Sequence, residues 1–135
     1  MEITLALAER MCHAACAHAA TLGALVSVAV VDAGGHLVAF ARMDGAEIAG
    51  PVLAPDKAYT AVAHRTATED LAPLVAAGGD LQGMQSAAGG RFVCFGGGVP
   101  LWSAGRVVAG VGVSGGLVVE DVACARAAAA HWPAP

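Results

Sequence analysis

Charge is scarce in this chain of 135 residues. Asp, Glu, Lys and Arg together make up 13% of it, with Lys57 as the single lysine, against about 25% in an average soluble domain. Aromatic residues are only 4%, and Tyr59 is the one tyrosine. The few basic residues are scattered and the formal net charge is −4, so the basic stripe of a nucleic-acid-binding surface is missing. The longest apolar stretch, between His18 and Asp32, is interrupted by Gly23 and falls short of the about 20 residues that span a bilayer. Neither nucleic acid nor membrane is an expected partner. Met1-Glu2 opens without a basic region, which gives the expectation of no secretory signal. The four cysteines, at positions 12, 16, 94 and 124, form no framework of close pairs; they are expected as reduced thiols in a cytoplasmic protein. No second ligand pair stands at zinc-like spacing, so no metal site is expected.

What is abundant is apolar. Hydrophobic residues reach 57%, which excludes a disordered chain and fits one domain. So few charges over roughly 6,400 Å² of folded surface leave wide uncharged stretches, which monomers rarely show. A homo-oligomer is the expectation.

The pattern alternates helix and strand. Leu5, Ala8, Cys12, Ala15, Ala19 and Leu22 fall on one helical stripe, with Thr4 placed to cap it and Gly23 to stop it. Cys12 and Cys16 belong to that stripe, while His13 points about 100° away. Leu25 to Val31 and His36 to Met43 read as a hairpin around Asp32-Ala33-Gly34-Gly35. A helix is expected from Pro55 to about His64, a shorter one from Thr68 to Gly78-Gly79, and strands at Arg91–Phe95, Leu101–Trp102 and Arg106–Val113. An alanine-rich helix from Val118 to His131 closes the chain. Hairpin-linked strands with helices between them predict an α+β domain covering residues 1–135, with an antiparallel sheet of about five strands.

Four blocks carry a resemblance. They are Val28 to Gly45, Asp56-Lys57-Ala58-Tyr59-Thr60-Ala61, Phe95-Gly96-Gly97-Gly98-Val99-Pro100, and Gly112-Val113-Ser114-Gly115-Gly116 followed by Asp121 to Ala125. In this order they resemble the GlcG/HbpS family, which includes the C-terminal domain of PduO-type proteins. The resemblance implies a profilin-like fold, symmetric oligomers and, in some members, binding of haem or a related tetrapyrrole. No cofactor is expected as a requirement, and haem is a possible one. His64 departs from the family pattern, which usually has an aromatic residue there.

The candidate site residues follow from chemistry. Three consecutive glycines, Gly96, Gly97 and Gly98, are costly to order and can turn successive N–H groups toward a carboxylate or phosphate; the alternative is a bulged connection that must clear a neighbouring helix. Pro100 ends the same block. Arg42 and Arg91 are candidates to clamp a carboxylate or a propionate, and Arg42 has an internal pair with Asp44 as its alternative. Lys57 and His64 are candidate proton carriers; an ordinary ion pair is the competing reading for Lys57, and drift at a helix end for His64. Were haem the ligand, His36, Met43, His64 and His131 would be available to its iron, and their spacing does not choose among them. Two functions therefore stand side by side. One is a small-ligand-binding domain of the GlcG/HbpS type. The other is a cofactor-independent enzyme of lyase, isomerase or hydrolase type acting on an organic acid, with Lys57 and His64 moving the proton. Ser114, within Gly112-Val113-Ser114-Gly115-Gly116, matches a nucleophile elbow only in letters, because the chain lacks the strand–helix order of a hydrolase.

Overall fold

The computed structural model describes residues 1–133. The first helix, α1, runs Leu5–Leu22. Thr4 caps it by accepting the Leu7 N–H at 3.2 Å. Gly23 ends it in the left-handed region (φ 69°), returning its N–H to the Ala19 and Ala20 carbonyls. The hairpin follows as β1, Ser27–Asp32, and β2, Leu37–Arg42. Its turn is held by Asp32 Oδ1, which accepts the N–H groups of Gly34 and His36, both at 2.9 Å.

Next come α2 (Gly50–His64) and α3 (Thr68–Val75). Short 3-10 turns lie at Met84–Ser86 and Ala88–Gly90. The chain continues through β3 (Gly98–Ser103), β4 (Arg106–Ser114) and α4 (Val118–Ala129). The sheet has four antiparallel strands in the order β2-β1-β4-β3. Among the described residues no helix is long and apolar enough to cross a membrane.

Two expectations are corrected. The segment Arg91–Phe95 is not a strand, so the sheet has four strands and not about five. Its backbone is satisfied elsewhere: the Val93 N–H donates to Thr60 Oγ1 at 3.0 Å, across to α2. Helix α2 begins at Gly50 rather than Pro55, with Pro51 in its first turn and Pro55 inside. Pro51 occupies a position whose N–H has no helical partner, so starting there loses no bond. Lys57 consequently lies well inside the helix.

Strand alternation sorts the two faces. Val28, Val30, Ala109, Val111 and Val113 pack with Leu7, Met11 and Ala15 of α1 and Cys124, Ala125 and Ala128 of α4. On the other face Val31 meets Ala58 and Val62 of α2. Gly110 and Gly112 of β4 also face α2. A Cβ at Gly112 would collide with the Ala54 carbonyl, and one at Gly110 would stand 2.8 Å from the Ala58 carbonyl oxygen. These two glycines let the backbone of α2 lie directly on the sheet, which is why Ala54, Ala58 and Lys57 are buried. Pro100 pairs with Gly110 on β3, an edge strand, where a missing N–H leaves no ladder bond unmade on its open side.

Candidate functional site

Helix α1 is covered by the sheet on one side only. Its outward side is built from small residues, Ala6, Ala14 and Ala17. With Arg10, His13 and His131 they line a groove of about 600 Å³, a size typical of small-molecule sites. A second cleft of about 260 Å³ opens between α1 and β2, lined by Cys12, Cys16, Ala39, Phe40 and Ala41. His13 and Glu9 border both. An exposed imidazole therefore stands on a ridge between two apolar depressions, with the Arg10 guanidinium on the rim of the larger one.

The thiols beside it are poor ligands. Burial pushes the Cys12 thiol up to about 12, with the neighbouring Cys16 and Glu9 adding to the effect. Burial raises Cys16 as well. Both stay protonated at neutral pH, and the thiolate is the metal-binding form. In this neighbourhood a histidine nitrogen is the better donor.

Lys57 is fully buried. Its Nζ donates to the Val113 carbonyl at 2.9 Å and to Asp121 Oδ2 at 3.2 Å, and it lies 4.7 Å from the centre of the Phe95 ring. Asp121, in the first turn of α4, accepts the Gly116 N–H through its other oxygen at 2.9 Å. Burial lowers Lys57 below its ordinary value against the pull of Asp121, and burial raises Asp121 against the pull of Lys57. The glycine run packs against this pair. A Cβ at Gly97 would sit 2.8 Å from Lys57 Nζ, and at Gly98 one would strike the Lys57 carbonyl. The Gly98 N–H donates to Thr68 Oγ1 at 2.9 Å, and the Gly97 carbonyl accepts from Val113 N–H. The run is a close crossing between α2, β4 and α4.

The structure thus brings Lys57 together with Gly96–Gly98 but scatters the other sequence candidates. Arg42 is exposed on β2, at the opposite edge of the sheet from Gly98 and Pro100. Arg91 pairs with Asp56 at 3.1 Å and stacks over Tyr59, 3.6 Å from the ring centre. His64 sets its ring edge-on to Phe92 at 4.5 Å, and its Nε2 is buried without a hydrogen-bond partner. His36 pairs with Asp32, and the Met43 thioether accepts the Val26 N–H at 3.4 Å. Of the four iron-ligand candidates only His131 borders the α1 groove.

His13 and Asp121 are not among the site candidates drawn from the sequence. The signal for His13 was present in the outward positions of α1, where alanines at 6, 14 and 17 take places that charged residues usually fill. Asp121 stood in the fourth block of the resemblance, but an acid in the first turn of a helix is ordinary and by itself asks for no further role.

The family described as haem degrading protein HbpS-like matches residues 3–130. The chain belongs to this family. It is 41% identical over 122 residues to the corrinoid adenosyltransferase PduO of Salmonella typhimurium (strain LT2), covering 90% of this chain. It spans only 36% of that protein's length. The crystal structure of a PduOC:heme complex superposes with a TM-score of 0.93 at 38% identity, covering 97% of this chain and 95% of that one. A double mutant of HbpS from Streptomyces reticuli superposes with a TM-score of 0.91 at 33% identity, over 99% and 89% of the two chains. The α+β fold expected from the sequence is therefore the fold of this HbpS-like family.

Proposed function

We propose that this domain binds haem, or a closely related tetrapyrrole, along the outer side of α1, with the imidazole of His13 as the iron ligand. The observation that carries the reading is the position of His13 on the ridge between two apolar depressions. The neighbouring heme complex of PduOC supports the choice of ligand class. The residues present fit such a group: a nitrogen donor, alanine and phenylalanine surfaces for a flat ring, and Arg10 at the rim to meet a propionate. His131, on the same groove, is the alternative donor. A bound haem would supply ligand-binding or redox chemistry at its iron; the chain's own part is to hold the ring, orient it and shield one side from water. The geometry favours holding over turnover, because Lys57 is fully buried and both its polar contacts are internal.

A haemin titration followed at the Soret band tests this. Wild type is expected to give a sharp, saturable shift. His13→Ala is expected to weaken binding about tenfold or more, the scale of one lost strong ligand interaction, with His131→Ala nearly unchanged. A non-saturating shift, or an unchanged His13→Ala, defeats the assignment.

We propose self-association as well. Ile48 is 87% exposed, Val119 71% and Leu117 68%, and large apolar side chains left this open favour contact with a second copy. Light scattering at micromolar concentration is expected to give a multiple of 13.2 kDa. A species of monomer mass sinks the proposal.

A further inference from the structure

A second cleft, away from α1, has a different chemistry. It measures about 270 Å³ and lies where the end of α2 meets the turn between β3 and β4. Arg65, Arg106 and Trp102 line it together with the methyl groups of Val62 and Val107. Both arginines are held on fixed backbone. Arg65 is the residue that ends α2, in the left-handed region at φ 53°, with its N–H returned to the Ala61 and Val62 carbonyls. Arg106 opens β4 directly after a tight turn in which Ala104 and Gly105 have φ of 50° and 76°, and it pairs with Ser103. Trp102 is anchored through its carbonyl, which accepts the Trp132 indole N–H at 2.8 Å, while its own side chain stays 40% exposed.

In a chain with more acidic than basic residues, two arginines without a carboxylate partner in one cleft call for an explanation. Among the described residues neither forms an ion pair, although Arg91 and Arg126 do. Glu2 and Asp32 border the cavity on the other side of Arg106, but neither carboxylate comes within ion-pair distance of its guanidinium. A cation at the end of α2 suits the helix dipole. That accounts for Arg65 and leaves Arg106 unexplained.

We infer that this cleft is a binding site for a small planar aromatic carboxylate. The two guanidinium groups receive the carboxylate, and Trp102, Val62 and Val107 take the ring. Guanidinium groups suit a carboxylate because their planar forks match its two oxygens. An indole face suits an aromatic ring by offset or edge-on stacking. The site is independent of the haem reading, since it uses neither α1 nor His13.

Benzoate is the probe, with inorganic phosphate as the comparator. Tryptophan fluorescence and calorimetry would be followed on the whole protein. Benzoate is expected to bind saturably with a fluorescence change that is lost in Trp102→Leu. Arg65→Gln and Arg106→Gln are each expected to weaken it about tenfold, the scale of one charge-assisted hydrogen bond, with thermal melts unchanged. Absence of benzoate binding overturns the inference. So does benzoate binding that survives the double Arg65→Gln, Arg106→Gln change. Phosphate bound as tightly as benzoate overturns the aromatic part, because a bare anion would then be the ligand.

Discussion

Lys57→Met is expected to lower the free energy of unfolding by about 3–5 kcal/mol, the cost of leaving one partner of a buried ion pair behind. Asp121 would remain almost fully buried with no cation beside it, and the Val113 carbonyl would lose its side-chain donor. The paired change Lys57→Met with Asp121→Asn is expected to recover most of the loss. An asparagine oxygen still accepts the Gly116 N–H, its amide group offers N–H donors at the far side, and methionine fills the space of the lysine stem. Urea denaturation at equilibrium measures all three proteins, with unchanged slopes needed for the comparison. If Lys57→Met costs under about 1 kcal/mol, the pair is not holding the α2–α4 contact.

The pH dependence has a definite sign. Asp121 is raised above its ordinary value, mainly by burial, so its contribution to stability is full below the unfolded value and disappears as pH rises through the folded one. Lys57 is lowered, again mainly by burial, so its contribution is present above its unfolded value and disappears as pH falls through the folded one. Where both groups are charged, neither contribution is available. The stability of the Lys57→Met, Asp121→Asn protein relative to wild type is therefore greatest in that range. It shrinks toward acid and toward base. A gap that widens toward acid would contradict burial as the dominant cause.

The same pair shows where sequence reading stops. Thr4 and Gly23 bracket α1 because capping is local: a hydroxyl three residues from an N–H, and a residue free to take a positive φ. The β1–β2 hairpin was legible for the same reason, since Asp32 and two glycines specify the turn within four residues. Lys57 and Asp121 are 64 positions apart, and nothing in either neighbourhood announces the other. A lone lysine read along the chain looks like a surface charge. Only the stacking of α2 against β4 and α4 puts it in the core. Arg91–Phe95 has strand composition, yet Thr60 takes its backbone hydrogen bond from a helix, and composition cannot see that competition. His13 was visible as a residue and invisible as a site, because the groove around it depends on where β2 and the end of α4 come to rest. The triple glycine left two readings open along the chain, an anion-holding loop and a connection that must clear a helix; Lys57, Thr68 and Val113 are what approaches it.

Gly112→Ala is the second change with a large expected effect, and it tests how α2 is seated on the sheet. The new methyl would collide with the Ala54 carbonyl and stand 2.6 Å from the Ala58 backbone nitrogen. Both are helix backbone, so no side chain can rotate aside. Overpacking of a filled core costs about 1–3 kcal/mol and occasionally more, and a clash with two backbone atoms belongs at the upper end or beyond. Helix α2 would have to lift, taking Lys57 away from Val113 and Asp121 at the same time, so the clash and the broken pair would add in one variant. Gly78→Ala is the matched control. Nothing lies within 4 Å of its added methyl, and only the left-handed backbone at φ 84° opposes it, at about 1–2 kcal/mol. Thermal melts of the two variants are expected to separate clearly, with Gly112→Ala far below Gly78→Ala. Equal melting temperatures would mean that α2 shifts at little cost, and its direct seating on Gly110 and Gly112 would then not be what fixes the buried pair in place.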